Sequence, residues 1–226
     1  MKTNKTIIDL THSLNENIPT WDGERGFELS ISCNYSDCTS PNTFKINKIN
    51  MNAGIGTHID APAHMIEGSN NIDELKLSEL ITECIVIDIS DKVTADYIIN
   101  KKDIEEFEKE NGIIPENSFV IFYTGWEKYW EEKEKYINNH KFPSLDTEVA
   151  EFLLNRKISG IGTDTLSVDT GENGFPVHLK ILGAGKYLVE NIKNANLLPK
   201  TGSQIFIAPI KIEGGTEAPV RLFAMF

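Results

Sequence analysis

The run CIVIDI, residues 84–89, is a continuous apolar stretch of strand length, and FVIFY, residues 119–123, is a second one. Neither run alternates between apolar and polar residues, which is typical of strands that are buried on both faces of a sheet. The two runs therefore predict central strands that are covered by other elements.

The segments around these runs predict further strands and helices. Strands are expected over TIIDL (6–10), twice within 27–51 around Ser40–Pro41–Asn42, and over KISGIGTD (157–164), SQIFIAPIKI (203–212) and PVRLFAMF (219–226), with a short element over YLVEN (187–191). Helices are expected over DIEEFEKENG (103–112), WEKYWEEKEKYI (126–137), DTEVAEFLLNRK (146–157) and HLKILGAG (178–185). Strands alternate with helices in places but are consecutive at both ends. The pattern predicts an α/β fold with a mixed β-sheet and flanking helices, in a single domain over residues 1–226.

Charge and cysteine content restrict the class of protein. The formal net charge is −12 and no block rich in Lys or Arg stands out, which argues against a nucleic-acid or anionic-membrane partner. The opening MKTNKTIIDLTHSL lacks the apolar core of a signal peptide. The three cysteines, Cys33, Cys38 and Cys84, fit free thiols in a reducing compartment. We therefore expect a cytoplasmic protein with a small-molecule substrate.

The segment GIGTHIDAPAH, residues 54–64, contains the first polar cluster. If the chain is extended there, His58 and Asp60 project to the same side, and both are suitable ligands for a divalent metal ion. Pro62 then fixes the path towards His64. A surface turn with two exposed histidines explains the same residues about equally well, so the residues alone leave both interpretations open.

The second cluster lies in GTDTLSVD (162–169) and FPVHLKILGAGKYLVEN (175–191). His178 and Glu190 are candidate ligands here, although their spacing is not a helical metal motif. Glu190 interrupts an apolar segment and therefore needs a partner. A salt bridge or a helix-end charge would also provide one, and the spacing alone favours that explanation over a ligand role. The remaining histidines, His12 and His140, are expected to be ordinary surface residues, and the helix over 126–137 is expected to bury Trp126, Trp130 and Ile137.

Four blocks of the sequence together resemble the metal-dependent cyclase family, whose best-known activity is bacterial kynurenine formamidase. They are IIDLTHSLNENIPTWDG (7–23), GTHIDAPAH (56–64), GTDTLSVD followed by the PVH…EN segment, and APIKIEGGTEAPVR (208–221). The resemblance runs over most of the chain. It implies the swivelling β/β/α fold of that family and assembly into homodimers or homotetramers.

The resemblance also implies a set of site residues. His58 and Asp60 would hold one metal ion, Asp60 would be shared with a second ion held by His178 and Glu190, and His64 would be the general acid/base. Gly54 stands where the family has a further histidine ligand. Either water, substrate or a distant residue completes the first site, or the protein uses one ion at Asp60, His178 and Glu190. The expected cofactor is Zn²⁺, with Mn²⁺ as the alternative, at one or two ions per chain.

The leading hypothesis is a metal-dependent amidohydrolase that acts on linear amides, as in the arylformamidase hydrolysis of N-formylkynurenine in tryptophan catabolism. Trp21 and Phe44 are the expected substrate-binding residues. One alternative is hydrolysis of a cyclic amide, an isatin-like ring or a lactone. The other is a non-catalytic member that only binds a small ligand.

Overall fold

The computed structural model describes residues 5–172 and 174–226, and within them the chain forms twelve strands and five helices. The strands are β1 (Ile7–Asp9), β2 (Phe27–Cys33), β3 (Ile46–Met51), β4 (His58–Asp60), β5 (Ile81–Asp88), β6 (Ile98–Ile99), β7 (Phe119–Tyr123), β8 (Ser144–Leu145), β9 (Gly160–Thr163), β10 (Tyr187–Glu190), β11 (Ser203–Pro209) and β12 (Glu217–Met225). The helices are α1 (Leu77–Leu80), α2 (Lys101–Asn111), α3 (Lys133–Ile137), α4 (Thr147–Asn155) and α5 (Pro176–Gly183).

Seven of the described strands close into a ring. Their order is β12-β11-β5-β7-β9-β10-β4, and β4 pairs back onto β12, while β1 adds to β12 alone. The β5–β7, β7–β9 and β9–β10 pairs are parallel and the other pairs of the ring are antiparallel. The predicted mixed α/β fold is confirmed, and the closed ring is the feature that the linear pattern does not reveal.

Alternate residues of the ring strands face its interior. Phe119 and Ile121 of β7 pack inside, with Ile59, Val189 and Ala218 from the strands near the closure. Two glycines of β9, Gly160 and Gly162, leave room for large aromatic side chains there. A Cβ on Gly162 would lie 2.8 Å from Phe119 Cζ, and Phe119 and Tyr187 stack with ring centroids 5.8 Å apart.

The outer face of the same strands is covered by α2, α4 and α5. Val120 and Phe122 of β7 pack with apolar residues of those helices, including Ile104, Leu153 and Ile181. Because all five residues of β7 are buried, the prediction that this strand is covered on both faces is confirmed. The predicted helix ends at Gly112 and Asp146 are confirmed as well, since Gly112 ends α2 and the Asp146 side chain accepts from Glu148 N–H at 2.8 Å.

The single helix predicted over residues 126–137 is wrong. The chain instead forms a 3₁₀ turn over Trp126–Tyr129 and the short helix α3, after Gly125 in the left-handed region at φ 70°. Trp126 Nε1–H donates to the Tyr136 carbonyl at 2.9 Å, and Tyr136 rather than Ile137 is fully buried. Burial of these aromatic side chains and their hydrogen bonds therefore override the helical periodicity.

The expectation that His12 is a surface residue is also wrong. Its side chain is only 4 % exposed and stacks on Trp130 with ring centroids 3.8 Å apart. Burial, assisted by the charge of Lys193, lowers the pKa of His12 to about 3, so it is buried as a neutral ring. His140 is half-buried and stacks on Trp21 at 4.1 Å.

In the part of the chain that the structure describes, no helix is both long enough and apolar enough to cross a membrane.

Candidate metal centre

The closing strand β4 places four potential ligands on one face of the ring. In the antiparallel pairings of β4, His58 lies opposite Glu190 of β10, and Asp60 lies opposite Glu217 of β12. The residues between them, including Ile59, face the interior of the ring, so these four polar side chains face outward. The prediction that His58 and Asp60 project to the same side of an extended segment is confirmed.

Helix α5 brings His178 to the same face. Its start is fixed by Asp169, whose carboxylate accepts from Val177 N–H at 3.3 Å and from His178 N–H at 3.0 Å. The same carboxylate lies 2.8 Å from His178 Nδ1. Because a carboxylate accepts, Nδ1 carries a proton, and Nε2 is directed at the potential ligands.

We call Asp60, His178 and Glu190 the inner group, because all three are buried. His178 Nε2 lies 3.7 Å from Asp60 Oδ2 and 3.3 Å from Glu190 Oε1. These distances are longer than ordinary hydrogen bonds. They match the spacing of roughly 3.3 Å between neighbouring ligands that each lie about 2.0–2.2 Å from a tetrahedral ion.

We call His58, Asp60 and Glu217 the outer group; its potential ligand atoms lie within 4.8 Å of one another. His58 Nδ1–H donates to the Gly56 carbonyl at 2.9 Å, so its Nε2 is free to bind an ion and lies 3.5 Å from Asp60 Oδ1. The two groups share Asp60, whose two carboxylate oxygens face different histidines. This arrangement is typical of a pair of metal ions bridged by one carboxylate.

The residues fit a divalent cation on electrostatic grounds. Burial alone would lower the pKa of His178, but the Asp169, Asp60 and Glu190 carboxylates outweigh it and hold the pKa well above its ordinary value. Burial would also lower the pKa of His58, but the Asp60 and Glu190 carboxylates outweigh it, so that pKa is raised. Asp60 Oδ1 is buried and has no hydrogen-bond partner among the described residues. A buried carboxylate oxygen without a partner is costly, and an ion bound there would supply one.

His64 lies at the edge of the outer group. It ends the 3₁₀ turn Pro62–His64, its side chain is partly exposed, and its Nδ1 lies 3.4 Å from Glu217 Oε2. The Glu217 carboxylate raises the pKa of His64, against the opposite effect of partial burial. His64 therefore stands beside the potential ligands, where a proton-transfer residue would be needed.

A cavity of about 290 Å³ opens onto both groups. Its floor is formed by His58, Asp60, His64, His178, Glu190 and Glu217, and its walls by Pro19, Thr20, Trp21, Leu166, Ser167, Phe175 and Asn191. Trp21, an expected substrate-binding residue, lies in the wall, with its ring centroid 5.5 Å from that of Phe175. Phe44 is 53 % exposed and is not among the described residues that line the cavity.

The structure thus brings together the five residues that the resemblance implied for metal binding and catalysis, and it adds two residues that sequence reasoning missed. Glu217 is in the last strand, so no spacing connects it with His58 and Asp60. Asp169 ends the segment GTDTLSVD, nine residues before His178. Its signal in the sequence is a carboxylate near a candidate histidine ligand, since a carboxylate commonly accepts from the second ring nitrogen of such a histidine.

Comparison with known sequences gives a consistent family. The family described as “Putative cyclase” matches residues 8–170. Isatin hydrolase from Roseibium aggregatum is 31% identical over 185 residues, which are 75% of this chain and 70% of that protein. Kynurenine formamidase from Bacillus cereus is 28% identical over 222 residues, which are 98% of this chain and 97% of that protein.

Solved structures show the same fold. Isatin hydrolase A from Ralstonia solanacearum superposes with a TM-score of 0.89 at 28% identity, covering 98% of this chain and 92% of that one. A structure described as a predicted metal-dependent hydrolase from Bacillus stearothermophilus gives a TM-score of 0.77 at 25% identity, covering 99% of both chains.

Proposed function

This chain belongs to the cyclase family of metal-dependent hydrolases, and on that premise we propose that it hydrolyses the C–N bond of a small aromatic cyclic amide of the isatin type. The observation that carries the proposal is the composition of the cavity. Pro19, Trp21, Leu166 and Phe175 give it an apolar, aromatic wall, and its described lining contains no Lys or Arg. A flat, uncharged ring suits such a wall, whereas the carboxylate of an amino-acid substrate would need a cationic partner there.

The residues of the chain have separate roles in this reaction. The chemistry supplied by a divalent ion in such a centre is polarisation of a carbonyl and activation of water near neutral pH. Asp169 and the Gly56 carbonyl hold the two histidine ligands with Nε2 facing the cavity floor. Trp21 and Phe175, which belong to the cavity wall, contact the aromatic ring of the substrate.

His64 moves the proton. It accepts a proton as a water oxygen forms a bond to the carbonyl carbon, and it returns that proton to the nitrogen when the C–N bond breaks. The ring opens to one product that carries both the new carboxylate and the freed amine. The partial exposure of His64 gives it access to substrate, and its Nδ1 contact with Glu217 leaves Nε2 available for this transfer.

Linear arylformamide hydrolysis is the second candidate. It is supported by the kynurenine formamidase relatives, which match nearly the whole chain. Because the bond broken is also an amide C–N bond, the same ligands and the same use of His64 apply. The two candidates differ in the charge and shape of the substrate rather than in the metal centre.

The test compares isatin ring opening with N-formylkynurenine hydrolysis by the same preparation, before and after chelation and reloading with Zn²⁺ or Mn²⁺. We expect metal-dependent turnover with kcat/KM at least about tenfold higher for isatin, because the cavity wall lacks a cation for the carboxylate. A reversed preference would establish the linear substrate. Full activity after chelation, with no metal remaining by elemental analysis, would exclude the metal mechanism for both.

We also propose Zn²⁺ or Mn²⁺ as the cofactor, since three carboxylates and two imidazoles suit either ion. Assembly into a homodimer or homotetramer is a further proposal. It is supported by exposed apolar side chains on one face of the antiparallel β2–β3 ribbon, where Leu29 lies directly opposite Ile49. Sedimentation equilibrium of the wild-type protein and of Leu29→Lys tests it, and a monomeric wild type would reject it.

A further inference from the structure

We infer that Glu217 is the third protein ligand of the outer group, and that glycine at position 54 is what makes room for it. The inference rests on metal dependence but not on which amide is hydrolysed. It answers the question raised by Gly54, which stands where the family resemblance implies a histidine.

The first observation is competition for one volume. A Cβ placed on Gly54 would overlap Glu217 Oε1 and would lie 3.0 Å from Glu217 Cδ. The same Cβ would be 3.5 Å from His58 Cδ2. A side chain at position 54 and the carboxylate of Glu217 therefore cannot both occupy this space beside His58. Either residue 54 or residue 217 can therefore place a ligand beside His58, but not both.

The second observation is strand register. Glu217 lies directly opposite Asp60 in the β4–β12 pairing, which puts the two side chains on the same outward face. The Glu217 carboxylate thus reaches the cavity from β12, on the far side of β4 from Glu190. Each flanking strand places one glutamate beside β4, which itself carries His58 and Asp60.

The third observation points independently to a ligand. Asp60 Oδ1, the oxygen that faces His58, is buried and without a hydrogen-bond partner among the described residues. Asp60 is 1 % exposed, so water does not readily solvate this atom. An ion held by His58 Nε2, Asp60 Oδ1 and Glu217 would satisfy it, and three protein ligands with an open position are the usual set for a catalytic zinc ion.

Glu217 also connects the outer group to His64. Its Oε1 is the atom nearest to position 54, while its Oε2 lies 3.4 Å from His64 Nδ1. A single carboxylate can thus coordinate an ion through one oxygen and orient the proton-transfer histidine through the other. Glu217 is therefore also a positioning residue for His64.

The experiment measures metal binding directly. Metal-free wild type, Glu217→Gln, Gly54→Ala and the matched control Glu213→Gln are titrated with Zn²⁺ by calorimetry, and circular dichroism checks their folding. Glu213 is an exposed glutamate four positions earlier, on the connection between β11 and β12. We expect two ions per chain for wild type and Glu213→Gln. In Glu217→Gln one ion should bind about ten- to a hundredfold more weakly, because a direct ligand is at least as important as the outer contacts that have this effect.

Two further variants make the result specific. Gly54→Ala should weaken the same ion although alanine removes no ligand, because its methyl group displaces the Glu217 carboxylate. The double variant Gly54→His with Glu217→Gly should regain the second ion, with a changed Co²⁺ absorption spectrum because nitrogen replaces oxygen. His178→Ala should weaken the other ion and leave the effect of Glu217→Gln unchanged.

The outcomes separate this inference from the proposed function. Unchanged Zn²⁺ stoichiometry and affinity in both Glu217→Gln and Gly54→Ala would overturn the ligand role of Glu217, while metal-dependent hydrolysis would stand. A wild type that binds only one ion, with no loss in Glu217→Gln, would overturn it equally. A folded wild type that binds no divalent ion would reject this inference and the metal mechanism together.

Discussion

The inner and outer groups contain the same ligand types, two carboxylates and one imidazole each, but they differ in how firmly the fold holds them. Asp60, His178 and Glu190 are all buried, and Asp169 holds His178 by both its backbone N–H and its ring. In the outer group Glu217 is half-buried, with a side chain 24 % exposed on the cavity side. Its place depends on an empty volume at Gly54.

This difference indicates which half of the centre can vary. All three members of the inner group are buried, so replacing one of them leaves a buried charge unpaired. The outer group can exchange a ligand between β12 and the loop that precedes β4, because a side chain at position 54 and the Glu217 carboxylate would occupy the same volume. We therefore expect the inner group to bind metal more tightly and the outer group to adapt to different substrates.

The largest effect should come from removing what the groups share. Asp60→Asn takes one ligand from both groups, so we expect binding of both ions to be lost. The kcat/KM for amide hydrolysis should fall at least about a thousandfold, since metal polarisation contributes several kcal/mol. Elemental analysis and steady-state kinetics check this. Retention of one tightly bound ion would show that the groups are independent.

His64 is adjacent to the outer group but belongs to neither group. His64→Gln should lower kcat about a hundredfold, because general acid–base catalysis contributes at least that much, while both ions remain bound. Parallel measurement of kcat and Zn²⁺ affinity separates the two properties. Loss of an ion in His64→Gln would assign His64 to coordination instead of proton transfer.

His12 shows what burial does to a histidine that lacks neighbouring carboxylates. Its folded-state pKa of about 3 lies below the ordinary value of 6.5, so protonation favours the unfolded chain. As pH falls from 7 to 5, this residue should reduce the free energy of unfolding by about 2 kcal/mol, and the loss should continue towards pH 3. His12→Phe keeps the contact with Trp130 but does not titrate. Urea unfolding of the metal-free proteins at pH 7 and pH 5 should show a loss about 2 kcal/mol smaller in the variant, and equal losses would contradict the assignment.

The smallest expected effect comes from changing Asp169, which holds His178, because His58 is held by a different group. Asp169→Asn replaces the carboxylate that holds His178, so Zn²⁺ affinity at the inner group should fall about tenfold, the low end for residues that orient metal ligands. The outer group should be unaffected, because His58 is held by the Gly56 carbonyl. Calorimetric titration resolves the two binding steps. Equal weakening of both would mean that Asp169 supports the centre as a whole.

Local patterns predicted the parts of the fold that depend on neighbouring residues. The apolar runs at 84–89 and 119–123 became paired central strands, and the period of two placed His58 and Asp60 on one face. The helix over 126–137 failed because Trp126, Trp130 and Tyr136 are positioned by a buried aromatic cluster instead of by helical spacing. The prediction that His12 lies at the surface is wrong for the same reason, since its partner Trp130 is distant in sequence.

The resemblance to a known family predicted His58, Asp60, His64, His178 and Glu190 together, which their spacing could not do. It could not predict Glu217, because that residue is informative only when the volume beside Gly54 is known. Compensation between two positions is visible in three dimensions and has no signature in either segment alone. Phe44 was placed near the site by its aromatic character, but it lies on the exposed connection between β2 and β3.

The three-residue strand β4 couples the stability of the fold to metal binding. It closes the ring by joining β10 and β12, which lie far away in sequence, so closure depends on non-local contacts that must offset the entropy of closing long loops. Each group takes potential ligands from β4 and from elements distant in sequence, namely β10 and α5 for the inner group and β12 for the outer group. Two bound ions would therefore each link β4 to one of its neighbours in the ring. At an ion concentration one hundred times the dissociation constant, one such ion adds about 2.7 kcal/mol to stability. The equilibrium stability of the closed ring should therefore rise with the concentration of free metal ion around the protein.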